Sequence, residues 1–111
     1  MDSLYIESKT FELMKTYLIG YDLNKENGEK IDYTILKRSI IELAHEGLYW
    51  HCLDSTWLIK SNLDSLTILN QLKFKIDNND RLLVVQIENN DASWIGLEND
   101  CSDWLKKYLP Y

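Results

Sequence analysis

The segment KTYLIGYDLN, Lys15 to Asn24, is apolar along most of its length and then meets an aspartate. Asp22 puts a carboxylate where a buried strand should leave the core. A hard cation such as Mg²⁺, or Mn²⁺ in its place, takes oxygen ligands and keeps several waters, so one or two carboxylates suffice to hold it. A cation so held activates water and offsets charge on a phosphate in transit. A second polar group lies in HCLDSTW, residues 51–57. His51 has an unperturbed pKa near neutrality, which suits a general acid or base. Ser55 can position a phosphate oxygen. Each residue also has a purely structural reading. An aspartate ending a strand accepts backbone N–H groups from the next turn. His51 reads equally as a hydrogen-bonded interface residue, and Asp54-Ser55 as a hairpin turn. His45 suits a helix C-terminus, where the dipole favours it.

Other chemistries find little support. The four glycines are not clustered, so no phosphate-cradling loop is present. No Cys-His or Ser-His-Asp arrangement survives a strand reading of these segments. Cys52 and Cys101 are far apart in sequence and fit no zinc spacing. They read as reduced thiols of a cytoplasmic protein, with a disulfide as the lesser alternative. The N-terminus carries early acids and no signal-like apolar block. No apolar run approaches the roughly 20 residues that a membrane span needs, so no membrane partner is expected.

The chain has 111 residues and a formal net charge of -6. That charge opposes strong non-specific binding to nucleic acid, whose phosphates need a basic surface. Local basic pairs remain, such as Lys37-Arg38 and Lys106-Lys107, and these read most simply as solvated helix charges.

The elements that must position these residues follow from periodicity. Hydrophobic residues make up 45% of the chain, enough for one packed core. Residues 1–14 form an amphipathic lead-in, and 15–111 a single domain. Lys15 to Leu23 is a strand with Leu18 and Gly20 on one face and Tyr17, Ile19 and Tyr21 on the other. Gly20 suggests a close approach by another backbone or a helix. Asp32 can cap a helix from Tyr33 to about His45, and Gly47 suits its left-handed stop. Strands Leu48 to Cys52 and Thr56 to Lys60 make a hairpin. Its Asp54-Ser55 connection predicts a kink or bulge. Ser61 or Asn62 can cap a helix from Leu63 to about Ile76, with Leu66, Leu69, Leu72 and Ile76 as its buried stripe. Arg81 to Glu88 reads as a central strand. A final short helix runs from Ser102, its cap, to Leu109, and Pro110 comes only after it.

The order strand, helix, strand, strand, helix, strand is the α+β, ferredoxin-like β-α-β-β-α-β pattern, here with a C-terminal short helix added. Right-handed crossovers put both helices on one face of an antiparallel sheet. The other face should then expose apolar groups, with Tyr17 or Tyr21, Trp50 and Trp57 as candidates. A second copy of the chain is the expected cover.

YLIGYDLN, then LDSTWLIKS, then IDNNDRLLVVQI, in that order, resemble the CRISPR-associated protein 2 superfamily. They are closer to its stand-alone SinR-like relatives, and more distantly similar to virulence-associated protein D. The resemblance spans about Thr16 to Glu88. It implies a homodimer in which an aspartate ending the first strand of each subunit meets its mate near the axis and holds a divalent metal. Asp22 matches that aspartate, Ser55 a polar residue of the hairpin turn, and Trp57 a usual aromatic. Relatives cleave RNA or DNA, or serve as scaffolds. The sequence departs from them in its acidity and in its helical tail. It also lacks arginines near the first helix, where NKENGEK offers only Lys25 and Lys30.

Two functional expectations result. One is a Mg²⁺-dependent nuclease of the defence type, with Asp22 as metal ligand and catalytic residue beside Ser55 and His51. Tyr21, Asn24, Lys25 and Trp57 would contact its substrate. The other is a catalytically silent, homodimeric binding or scaffold module for a nucleotide, nucleic acid or protein partner, with aromatic residues available to stack on bases.

Overall fold

The structure, a computed structural model, describes residues 14–24, 33–88 and 91–109. Residues 1–13 of the expected lead-in and the proposed cap Asp32 lie outside these residues. The described chain is an α+β domain. Its elements are β1 (Lys15–Asp22), α1 (Thr34–Leu43), β2 (Tyr49–Leu53), β3 (Thr56–Ser61), α2 (Ser65–Leu72), β4 (Arg81–Ile87) and α3 (Asn99–Tyr108). Short 3₁₀ turns, His45–Gly47 and Lys73–Lys75, follow α1 and α2.

The strands form one antiparallel sheet in the order β2-β3-β1-β4. β1 is central, as its two apolar faces predict. β4 is an edge strand among the described residues, which corrects the central position expected for it. Its apolar run reflects side chains shared between two faces, and Leu83 and Val85 remain 59% and 43% exposed.

Alternation along β1 divides the protein into two cores. Tyr17 and Ile19 join Trp57 and Ile59 of β3 against Leu36 and Ile40 of α1 and Ile68 and Leu72 of α2. The Tyr17 hydroxyl donates to Leu63 O at 2.6 Å, which pins the start of the α2 segment to this face. Burial, and then the nearby Asp64 carboxylate, push the Tyr17 pKa above its ordinary value. Tyr17, Tyr21 and Trp57 therefore belong to the helix-covered face, not the uncovered one expected for them.

On the opposite face Trp50 and Leu58 pack against Leu105 of α3 and against Leu109. Leu18, Ala92, Trp94 and Leu97 border the same cluster. The chain's own C-terminal segment thus covers part of the surface for which a second copy was expected. A ten-residue amphipathic helix with its apolar side toward Trp50 removes apolar area from water, as a partner would.

Several local signals land differently from the sequence expectation. The N-cap of α2 is Asp64, whose side chain accepts from Thr67 N at 2.8 Å. Hydrogen bonding from Thr67 holds its carboxyl below the usual range. Ser61 Oγ instead accepts from Leu63 N at 3.2 Å. Because the helix starts at Ser65, its buried positions are Ile68 and Leu72, and Leu66 is 62% exposed. Helix α3 begins at Asn99, so Ser102 lies inside it and its hydroxyl accepts from Trp94 Nε1 at 2.9 Å. The chain leaves α1 through Glu46 (φ 50°) and Gly47 (φ 72°), two consecutive left-handed residues. A Cβ on Gly20 would meet Leu18 Cδ2 at 3.7 Å and Ser55 O at 4.0 Å, ordinary contacts that do not demand glycine.

Cys52 and Cys101 are joined as a disulfide, with Cα atoms 6.3 Å apart. This corrects the reading of two reduced thiols. Forty-nine residues separate them in sequence, but Cys52 faces the second core and the first turn of α3 lands on it. Among the described residues no helix is long and apolar enough to cross a membrane.

Candidate functional site

The hairpin turn brings together several of the residues singled out in the sequence. Between Trp50 and Leu53 the β2–β3 register shifts, the irregularity that the Asp54-Ser55 connection predicts. Tyr21 N donates to Ser55 O at 3.1 Å, which fixes the turn against the end of β1. Trp57 Nε1 donates to the Tyr21 hydroxyl at 2.9 Å, and that hydroxyl donates to Asp54 O at 3.2 Å. His51 Nε2 lies 3.0 Å from the same carbonyl. A carbonyl only accepts, so this contact requires the proton on Nε2 and leaves Nδ1 as the basic nitrogen. The imidazole stacks on the Trp57 ring, with centroids 3.8 Å apart and planes 10° from parallel. Trp57 is only 2% exposed. With one face covered by His51 and its N–H engaged, it is a core residue and offers no open ring for a base.

Asp22 is exposed at the end of β1, with Arg81 as its cross-strand neighbour. Alternation sends its side chain to the face opposite Tyr21. Within one chain the hairpin cluster of Tyr21, His51 and Trp57 therefore sits across the sheet from the Asp22 carboxylate. Among the described residues no three His, Cys, Asp or Glu side chains are grouped to hold a metal.

Asn24 is tied to the loop before β4. Its backbone N–H donates to Asp80 Oδ1 at 2.8 Å, and its side-chain amide donates to Asn79 O at 2.6 Å. Asp80 also accepts from the Tyr33 hydroxyl, at 3.2 and 3.1 Å, and from Asp77 N at 2.8 Å. Burial and the Asp80 carboxylate push the Tyr33 pKa up to about 12. Asp80 thus gathers the end of β1, the start of α1 and the loop before β4. Lys25 lies outside the described residues.

Two features had weak signals in the sequence. Lys60, 8% exposed, donates from Nζ to Thr16 Oγ1 at 2.6 Å, and burial lowers its pKa. Its only signal in the sequence was its place at the end of the second hairpin strand. The larger feature is a cavity of about 440 Å³ on the second sheet face. Its floor is Leu18, Trp50 and Leu58, and its walls include Trp94, Leu97 and Leu105. Among its described lining residues Asp91 is the only one that carries a charge, with Thr56 and Ser93 as neutral polar groups. Trp94 was legible as an aromatic beside Gly96, but nothing in the sequence placed it opposite Trp50.

No protein-family model, curated protein or solved structure matches the chain.

Proposed function

We propose that this chain is a small binding module of the ferredoxin-like type, and that its site is the cavity on the second sheet face. The strand order β2-β3-β1-β4, with a helix in each parallel crossover, supports the fold reading. The observation that carries the site is the cavity's size and lining. About 440 Å³ of mostly apolar space, with a few polar groups, is the usual form of a small-molecule site. The occupant that fits is a compact aromatic or aliphatic molecule bearing a cationic or donor group. Asp91 would face that group, and no described lining residue would balance an anion.

Three probes that share an indole ring and differ in charge test this reading: tryptamine, indole and indole-3-acetate, followed by ligand-observed NMR. Tryptamine should bind best and indole-3-acetate worst. Asp91→Asn should remove the preference for tryptamine and leave indole unaffected. Absence of binding by all three, or a ranking that Asp91→Asn does not alter, excludes it.

A second reading rests on Asp22. An exposed carboxylate at the end of β1 is what a metal-dependent nuclease of the CRISPR-associated protein 2 type would contribute, once from each subunit of a homodimer. Mg²⁺ would then be the cofactor and an RNA or DNA phosphodiester the substrate. Asp22→Asn should abolish chelator-sensitive cleavage while fold and dimer persist. Cleavage that survives the substitution or the chelator removes this reading.

A further inference from the structure

Cys52 on β2 and Cys101 in the first turn of α3 form the one covalent link between that helix and the sheet. Among the described residues the remaining ties to the sheet are one hydrogen bond and apolar packing. Trp50 Nε1 donates to Cys101 O at 3.1 Å. Leu105 is the one buried residue of α3, Trp104 is partly buried against the same cluster, and Leu109 follows just beyond the helix. An isolated helix of ten residues is marginal in water and depends on its packing. The bond is also within reach of solvent. Both cysteines are half-buried, and a cavity of about 350 Å³ beside them is lined by His51, Gly96, Leu97 and Glu98.

We propose that the Cys52–Cys101 disulfide is a reversible redox latch on α3. Reduction by a dithiol lets the helix leave the second sheet face, while the core under α1 and α2 stays folded. In the first step a thiolate of the dithiol attacks one cysteine sulfur. The S–S bond breaks, and the other cysteine departs as a thiolate that takes a proton. The second thiol of the reductant then displaces the mixed disulfide. The reductant ends as a cyclic disulfide, and Cys52 and Cys101 end as two thiols. Two electrons and two protons have moved to the protein. The asymmetry between the two cores makes this a latch. Tyr17, Ile19, Trp57, Ile68 and Leu72 pack on the far side of the sheet and make no use of the bond. Opening removes Leu105 and Leu109 from Trp50 and Leu58 and exposes that apolar face. The proposal stands whether or not the neighbouring cavity holds a ligand.

The test is hydrogen exchange on the full chain, with and without dithiothreitol, the thiol state being read by intact mass. Reduction should speed exchange in residues 99–109, shift tryptophan emission to the red and raise the fluorescence of added 1-anilinonaphthalene-8-sulfonate. Amides of β1 and β3 should stay protected, and reoxidation should restore the starting state. Cys52→Ser with Cys101→Ser should match the reduced protein under both conditions. Reduced protein with unchanged exchange in α3 overturns the proposal. So does loss of protection throughout the sheet, which would make the bond a general staple. A disulfide that resists dithiothreitol in the native state overturns it as well. Since the wild-type chain carries the main comparison, the outcome does not depend on the double variant folding.

Discussion

The indole of Trp57 donates to the hydroxyl of Tyr21 at 2.9 Å, and that hydroxyl donates onward to Asp54 O. One oxygen therefore joins a nearly buried indole to a hairpin turn. Tyr21→Phe keeps the ring and removes the oxygen. The N–H of the buried Trp57 is then left without its acceptor. The expected cost is about 1–3 kcal/mol, the penalty for an unsatisfied buried donor. Urea unfolding followed by circular dichroism reads it as a lower midpoint with an unchanged slope.

Tyr33 gives a pH dependence with a defined sign. Its pKa is raised from 10.0 to about 12 in the folded chain. Below the unfolded value both states hold the phenolic proton, and the contribution of Tyr33 is complete. Between the two values the unfolded state has released its proton and the folded state has not, so stability falls as pH rises. The contribution is lost as pH passes through about 12. Tyr33→Phe should flatten this part of the stability profile between pH 10 and 12. Equal slopes in the two proteins would remove the assignment.

Gly20 tests a sequence signal that the structure does not support. A methyl group there meets only ordinary contacts, with Leu18 and Ser55. Gly20→Ala should leave the fold intact and raise stability by about 0.5 kcal/mol, because the unfolded chain loses conformational freedom. A marked fall in thermal midpoint would mean that the backbone at β1 is more crowded than these distances indicate.

The two faces of α2 should respond in opposite ways. Ile68 is fully buried and Leu66 is 62% exposed. Ile68→Ala should cost about 2–5 kcal/mol through lost burial and an unfilled cavity. Leu66→Ala should stay within about 0.5 kcal/mol of the parent. Chemical denaturation of the two variants side by side checks both.

The strands and helices were legible because their signals are local. Alternating side chains in KTYLIGYD and the spacing of Leu36 and Ile40 were enough to assign β1 and α1. What α3 does was not legible. NDCSDWLKKY shows only that a helix forms, and its docking on Trp50 depends on how the chain returns after β4. The disulfide stood only as the lesser alternative for the same reason, since sequence separation says nothing about distance in the fold. The candidate site divides along this line. Asp22, Ser55 and His51 stood out by residue type, but strand alternation separates the first from the hairpin cluster. The cavity between Trp50 and Trp94 arises only when two distant segments meet. Asp80 looked like one residue of a polar turn, and the donors that meet its carboxylate, from Asn24, Tyr33 and Asp77, required the folded neighbours.

Among the described residues β4 lies at an edge of the sheet, and that position carries a colloidal consequence. RLLVVQI is a seven-residue run with high strand propensity, a single charge at its start and no proline, and it shows Leu83 and Val85 to solvent. Such a segment can template further strands from other molecules. A net charge of -6 opposes that encounter through mutual repulsion in dilute salt. Concentrated protein at high ionic strength should lose this protection, and fibres or gels formed there should carry β4 at their centre.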